Sequence, residues 1–152
     1  MIDTLDIANG TAVGQIIKET PVSKPIRLFL VDDSLQFLGV ATRFLQTQPS
    51  CEVVGSSDSV QTALTQISMT QPDVVIMDLV MPGMNGLEAT RKLKQQSTSL
   101  RVIVVSLQDG VEYADGAEMS GADGFIPKGD FCEKLVPFIG TLFNKPSKQY
   151  EE

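Results

Sequence analysis

A chain of 152 residues with 42% hydrophobic content suits one domain with its own core. Its formal charge of −7 argues against non-specific nucleic-acid binding, which needs basic stripes. The lack of histidine excludes a His triad, a His metal site and a phospho-His relay within the chain. No long apolar run marks a membrane span, and the N-terminus lacks a signal-peptide layout. Cys51 and Cys132 lack metal spacing, so a reduced, cytoplasmic protein is expected.

Residues 1–25 read as a leader, mostly flexible, with scattered Thr, Ser, Asn, Gly and Pro. "IRLFLV" (26–31) is a β-rich apolar run. A helix follows over 34–48, with Leu35, Leu38, Ala41 or Thr42, and Leu45 on its inner face and Asp33 or Ser34 as its cap. "CEVVGSS" (51–57) is a strand, and 59–69 is a helix facing inward through Val60, Ala63, Leu64 and Ile67. "DVVIMD" (73–78) is a strand; 86–96 is a helix with Leu87, Thr90 and Leu93 inward. "LRVIVVSL" (100–107) is a strand. A weak, small-residue helix spans 111–121, a short strand spans 124–128, and a closing helix spans 131–144. Residues 145–152 form a C-terminal tail.

Strands and helices alternate, and the strands are continuous apolar runs rather than polar–apolar alternations. Both sheet faces are therefore covered, which means a parallel sheet between two helical layers with right-handed crossovers. Pro127 lacks an N–H, so the fifth strand belongs at an edge.

Strand one ends in Asp32-Asp33, strand three in Asp78, strand four in Ser106 and strand five in Lys128. Parallel strands bring these ends to one rim, where open sheets of this kind bind ligands. Singly, each residue has an ordinary explanation: a helix cap, a turn acid before Pro82-Gly83, a small strand-end residue, a solvated lysine. Jointly, three close carboxylates repel one another unless a cation is present. An all-oxygen donor set selects a hard ion. Mg²⁺ takes one or two carboxylates and completes its shell with water and phosphate oxygens. A carboxylate in that setting can accept a phosphoryl group covalently.

"FLVDDS", "VVIMDLVMPGMNGLEA", "VIVVS" and "GADGFIPK" together resemble the receiver domain of two-component response regulators over residues 26–144. "PSCEVVGSSDS" and "GADGF" resemble the NarL/FixJ-like branch. The resemblance implies a CheY-like, flavodoxin-like (βα)5 doubly wound sheet of strand order 2-1-3-4-5. It implies Asp78 as phosphoacceptor, Mg²⁺ on Asp33 directly, on Asp32 directly or through water, and on the Val80 backbone carbonyl. It further implies Ser106 as switch hydroxyl, Lys128 as phosphoryl contact and Phe125 as switch aromatic. The implied phosphodonor is a histidine kinase or a histidine phosphotransfer protein.

Three positions depart from the family pattern: Leu107 where a small residue is common, Gly129 after Lys128 where Pro or Asp is frequent, and Phe125 without a hydroxyl. None removes a chemical group from the site. The chain is expected not to be an enzyme beyond self-phosphorylation and autodephosphorylation. A phosphate-ester hydrolase would need a second acid where Val80 stands, and a flavin module would need a Ser/Thr/Gly-rich loop where Asp32-Asp33-Ser34 stands. As a stand-alone receiver the chain would signal to a protein effector; as part of a longer chain it would be the input half of a DNA-binding regulator. The weak fourth helix, with Gly116 at mid-span and Glu112, Asp115 and Glu118 spaced to repel, marks helix four, strand five and helix five as the output surface. No nucleic-acid or membrane partner is expected, and dimerisation is left open.

Overall fold

The computed structural model describes residues 24–107 and 110–143, so the tail and nearly all of the leader named above lie outside the described residues. The elements are β1 (Ile26–Val31), α1 (Leu35–Gln46), β2 (Cys51–Ser57), α2 (Val60–Thr70) and β3 (Val74–Asp78). They continue with α3 (Gly86–Gln96), β4 (Arg101–Ser106), α4 (Val111–Met119), β5 (Gly124–Pro127), a 3-10 turn (Lys128–Asp130) and α5 (Phe131–Phe143). All pairings are parallel, in the order β2-β1-β3-β4-β5. This is the flavodoxin-like arrangement, with Pro127 on the edge strand as its missing N–H requires. No described helix is long and apolar enough to cross a membrane.

Alternate residues of each strand face opposite helical layers. Leu28, Leu30, Ile76, Ile103 and Val105 meet Leu38, Ala41 and Leu45 of α1 and Phe131, Leu135 and Ile139 of α5. Phe29, Val31, Val75, Met77 and Val102 meet Val60, Ala63 and Ile67 of α2 and Ala89 and Leu93 of α3. Every residue of β3 is buried, which explains its uninterrupted apolar run up to Asp78.

Strand β4 excludes Leu100 and Leu107, Lys128 falls in the 3-10 turn rather than in β5, and α4 stops at Met119 rather than 121; two further expectations also change. Leu35, expected inward, is 69% exposed at the first position of α1, while Leu38, Ala41 and Leu45 of the same helix are buried. Asp73, expected in β3, precedes it: its N–H donates to Arg27 O at 2.9 Å, and its Oδ2 accepts from Arg27 N at 2.9 Å. At the same lower edge Lys94 Nζ donates to Leu100 O (2.7 Å) and pairs with Asp123 (2.9 Å), tying α3 to the loop before β5.

Candidate functional site

The sheet order reverses between β1 and β3, and the acids stand at the exits of these two strands. Each is placed by the turn that follows it. Ser34 caps α1, its Oγ accepting from Phe37 N at 3.1 Å, while Asp32 Oδ1 accepts from Ser34 N at 2.8 Å. Of the two expected cap candidates, Ser34 therefore takes the role, and Asp33 stays exposed. After β3, Gly83 turns the chain with a φ of 78°, and Asn85 caps α3 by accepting from Glu88 N at 2.8 Å. Gly86 lies so close to β3 that a Cβ there would overlap the Asp78 carbonyl. That approach lets α3 begin directly behind the acid.

Asp32, Asp33 and Asp78 each offer a carboxylate oxygen within 4.8 Å of the others. Asp32 and Asp78 are buried. Lys128, at the start of the 3-10 turn, places Nζ 2.8 Å from Asp32 Oδ2 and 3.4 Å from Asp78 Oδ1. The first pair is close but misaligned, since Asp32 Oδ2 makes no hydrogen bond. Burial first, then the charge of Asp32, push the Asp78 carboxyl up to about 6 against the downward pull of Lys128. A cleft of about 270 Å³ opens over these groups, lined by Asp33, Ser34, Asp78, Val80, Ser106, Leu107 and Lys128. A larger cavity of about 510 Å³, between α2 and α3 near Phe143, lies away from these acids and shares no lining residue with the cleft.

Crowded carboxylates, one buried oxygen without a hydrogen-bond partner and an all-oxygen donor set fit a hard divalent cation. The structure thus brings together six of the seven residues assigned to the site from the sequence: Asp32, Asp33, Asp78, Val80, Ser106 and Lys128. Phe125 stands apart from the cleft. It pairs with Val104, two residues before Ser106, and packs half-buried with Leu79, Val104 and Ala117. Sequence reasoning missed Phe37, whose ring centroid lies 4.7 Å from Lys128 Nζ. The only signal for it was an aromatic residue one helical turn after the acid pair.

The response regulator receiver domain model matches residues 28–137. The chain belongs to this family. It is 35% identical to the response regulator GacA of Pseudomonas viridiflava over 118 residues, 78% of this chain and 55% of GacA. A LuxR-family two-component response regulator from Aurantimonas sp. superposes with a TM-score of 0.73 at 30% identity, covering 78% of this chain and 85% of that one. The signal receiver domain of NarL from Mycobacterium tuberculosis gives a TM-score of 0.73 at 28% identity, covering 79% and 97%. These likenesses place the receiver in the NarL/FixJ-like branch of two-component signalling proteins. The chain spans about half the length of the curated relatives it matches.

Proposed function

We propose that Asp78 accepts a phosphoryl group from the phosphohistidine of a histidine kinase or phosphotransfer protein, and that this modification switches a protein-binding surface on α4, β5 and α5. The observation that carries the reading is the buried, charge-crowded Asp78, open to the cleft and flanked by two further acids and one ammonium. An Asp78 oxygen bonds to phosphorus while the donor's phosphorus–nitrogen bond breaks, its electron pair returning to the imidazole. Lys128 pairs with the charge of the transferred group, and Ser106 lies on the cleft wall within the same site. Asp32, Asp33, Asp78 and the Val80 carbonyl would hold Mg²⁺, which supplies positive charge against the acids and the phosphoryl oxygens. Ser106 and Phe125 are the switch pair: β4 and β5 present them on one sheet face, two residues apart in register. The chemistry is confined to the chain's own Asp78, in the cytoplasm.

Intact mass after acetyl phosphate and Mg²⁺ should show one labile phosphate, absent in Asp78→Asn. Modification of Asp78→Asn at the wild-type rate would contradict the assignment. One observation favours a second reading of the output: curated relatives run to about twice the matched length. On that reading the receiver switches an attached DNA-binding segment. The length of the native open reading frame separates the two.

A further inference from the structure

Lys128 faces a ring as well as two acids. Phe37 sits in the first turn of α1, its backbone N–H held by Ser34 Oγ. Its ring meets Phe131 edge-on, with centroids 5.2 Å apart and planes at 76°. Phe44 meets the same Phe131 at 6.3 Å. Phe131 is buried, and its N–H donates to Lys128 O. The backbone of Lys128 and the ring beneath its ammonium are therefore fixed to one aromatic block.

We infer that Phe37 is a positioning residue for Lys128, its ring holding the ammonium over the Asp32–Asp78 gap and thereby setting the rate at which Asp78 is phosphorylated. The inference rests on the phosphoacceptor reading of this site. Other restraints on Lys128 are weak in direction. Gly129 follows it in open space and lends the turn no stiffness. Asp32 Oδ2 attracts it at 2.8 Å without hydrogen-bond alignment, and Asp78 Oδ1 at a longer 3.4 Å. A ring face, by contrast, fixes where the cation sits, because only the face of the quadrupole is negative. The ring also carries no net charge. Its hold therefore persists when a bound cation neutralises the acids that otherwise attract Lys128. Phe37 is not among the residues lining the cleft and takes no part in the bond changes.

Three measurements on the full chain test this. In the metal-free protein, the Lys128 ε-methylene protons should shift upfield from the ring current, in wild type and in Phe37→Tyr but not in Phe37→Leu. With acetyl phosphate and Mg²⁺, Phe37→Leu should be phosphorylated roughly three- to thirtyfold more slowly, and Phe37→Tyr within about twofold of wild type. Mg²⁺ affinity should be unchanged in both, which a general loss of structure would not allow. Where Phe37→Leu fails to fold, progressively fluorinated phenylalanines at position 37 keep the shape and drain the quadrupole, and the rate should fall stepwise at constant melting temperature. A normal rate in Phe37→Leu, no dependence on fluorination, or no upfield shift in wild type overturns this inference alone. A wild-type protein that takes no phosphate at all overturns the phosphoacceptor reading and this inference with it.

Discussion

Helices α3 and α4 pack against the same sheet face, over Val102 and Val104 of one strand, yet they are held very differently. Helix α3 has a side-chain cap from Asn85, buries Gly86, Ala89, Thr90 and Leu93, and is pinned near its end by Lys94 to Asp123. Helix α4 follows Gly110, which offers no side-chain cap, and buries Ala117 alone. It leaves Val111 and Met119 exposed, and Glu112, Asp115 and Glu118 share its outer surface. Glu118 stands in the last turn, where the helix dipole disfavours an anion. The fold thus sets a firmly anchored helix behind Asp78 and a loosely held one at the proposed output edge. A rigid acceptor and an easily biased reporter are what a switch driven by one phosphoryl group requires, since a full reversal from 1:99 to 99:1 would take about 5.5 kcal/mol.

The rigid side should carry the largest electrostatic cost. Burial, and then the charge of Asp32, push the Asp78 carboxyl up from an ordinary 3.8 to about 6, so the ionised form is disfavoured in the fold. Below the ordinary value both folded and unfolded forms are protonated and no penalty exists. As pH rises between the two values the unfolded chain ionises first and stability falls, leaving a penalty of about 3 kcal/mol at neutral pH. Asp78→Asn should therefore stabilise the protein in chelator by about that amount at pH 7.5, by well under about 1 kcal/mol at pH 4 and by almost nothing near pH 2.5, read by urea melts. A pH-independent effect would remove the electrostatic account.

Hydrogen exchange addresses the comparison itself. Amides of α4 should exchange roughly a hundredfold faster than those of α3 in the unmodified protein. A phosphate mimic should alter residues 110–128 and the start of α5 more than residues 35–70. Equal protection in the two helices would erase the contrast.

One substitution made in both helices should act with opposite signs. Gly86→Ala drives a Cβ into the Asp78 carbonyl, a backbone group that cannot step aside, and should cost about 2 kcal/mol. Gly116→Ala meets only the flexible end of Leu87, at 3.2 Å. It should stabilise α4 by less than about 1 kcal/mol through helix propensity and blunt the response to phosphorylation. Chemical denaturation of both variants reads the signs.

The sheet was legible because strands covered on both faces must be apolar throughout, and β3 shows this up to the acid it delivers. The rim was legible because parallel strands share one end, so Asp32, Asp33, Asp78, Ser106 and Lys128 could be gathered without coordinates. What escaped depended on where elements begin or meet at long range. Leu35 has helical spacing but opens α1 and is left exposed. Asp73 reads as strand but is spent on Arg27. Phe37 carries no periodic signal for its contact with Lys128, because that contact joins the first helix to the last strand's exit. The clamp of Lys94 on Asp123 is hidden for the same reason.

The central claim is that the phosphoryl group is carried by the carboxylate at the exit of β3. Borohydride reduction of the acetyl-phosphate-treated protein converts an aspartyl phosphate to homoserine, and peptide mass spectrometry then locates it. The account requires homoserine at position 78, dependent on Mg²⁺ and sharply reduced by Lys128→Ala. Homoserine at position 32 or 33, or none in a protein that has gained phosphate, would contradict it.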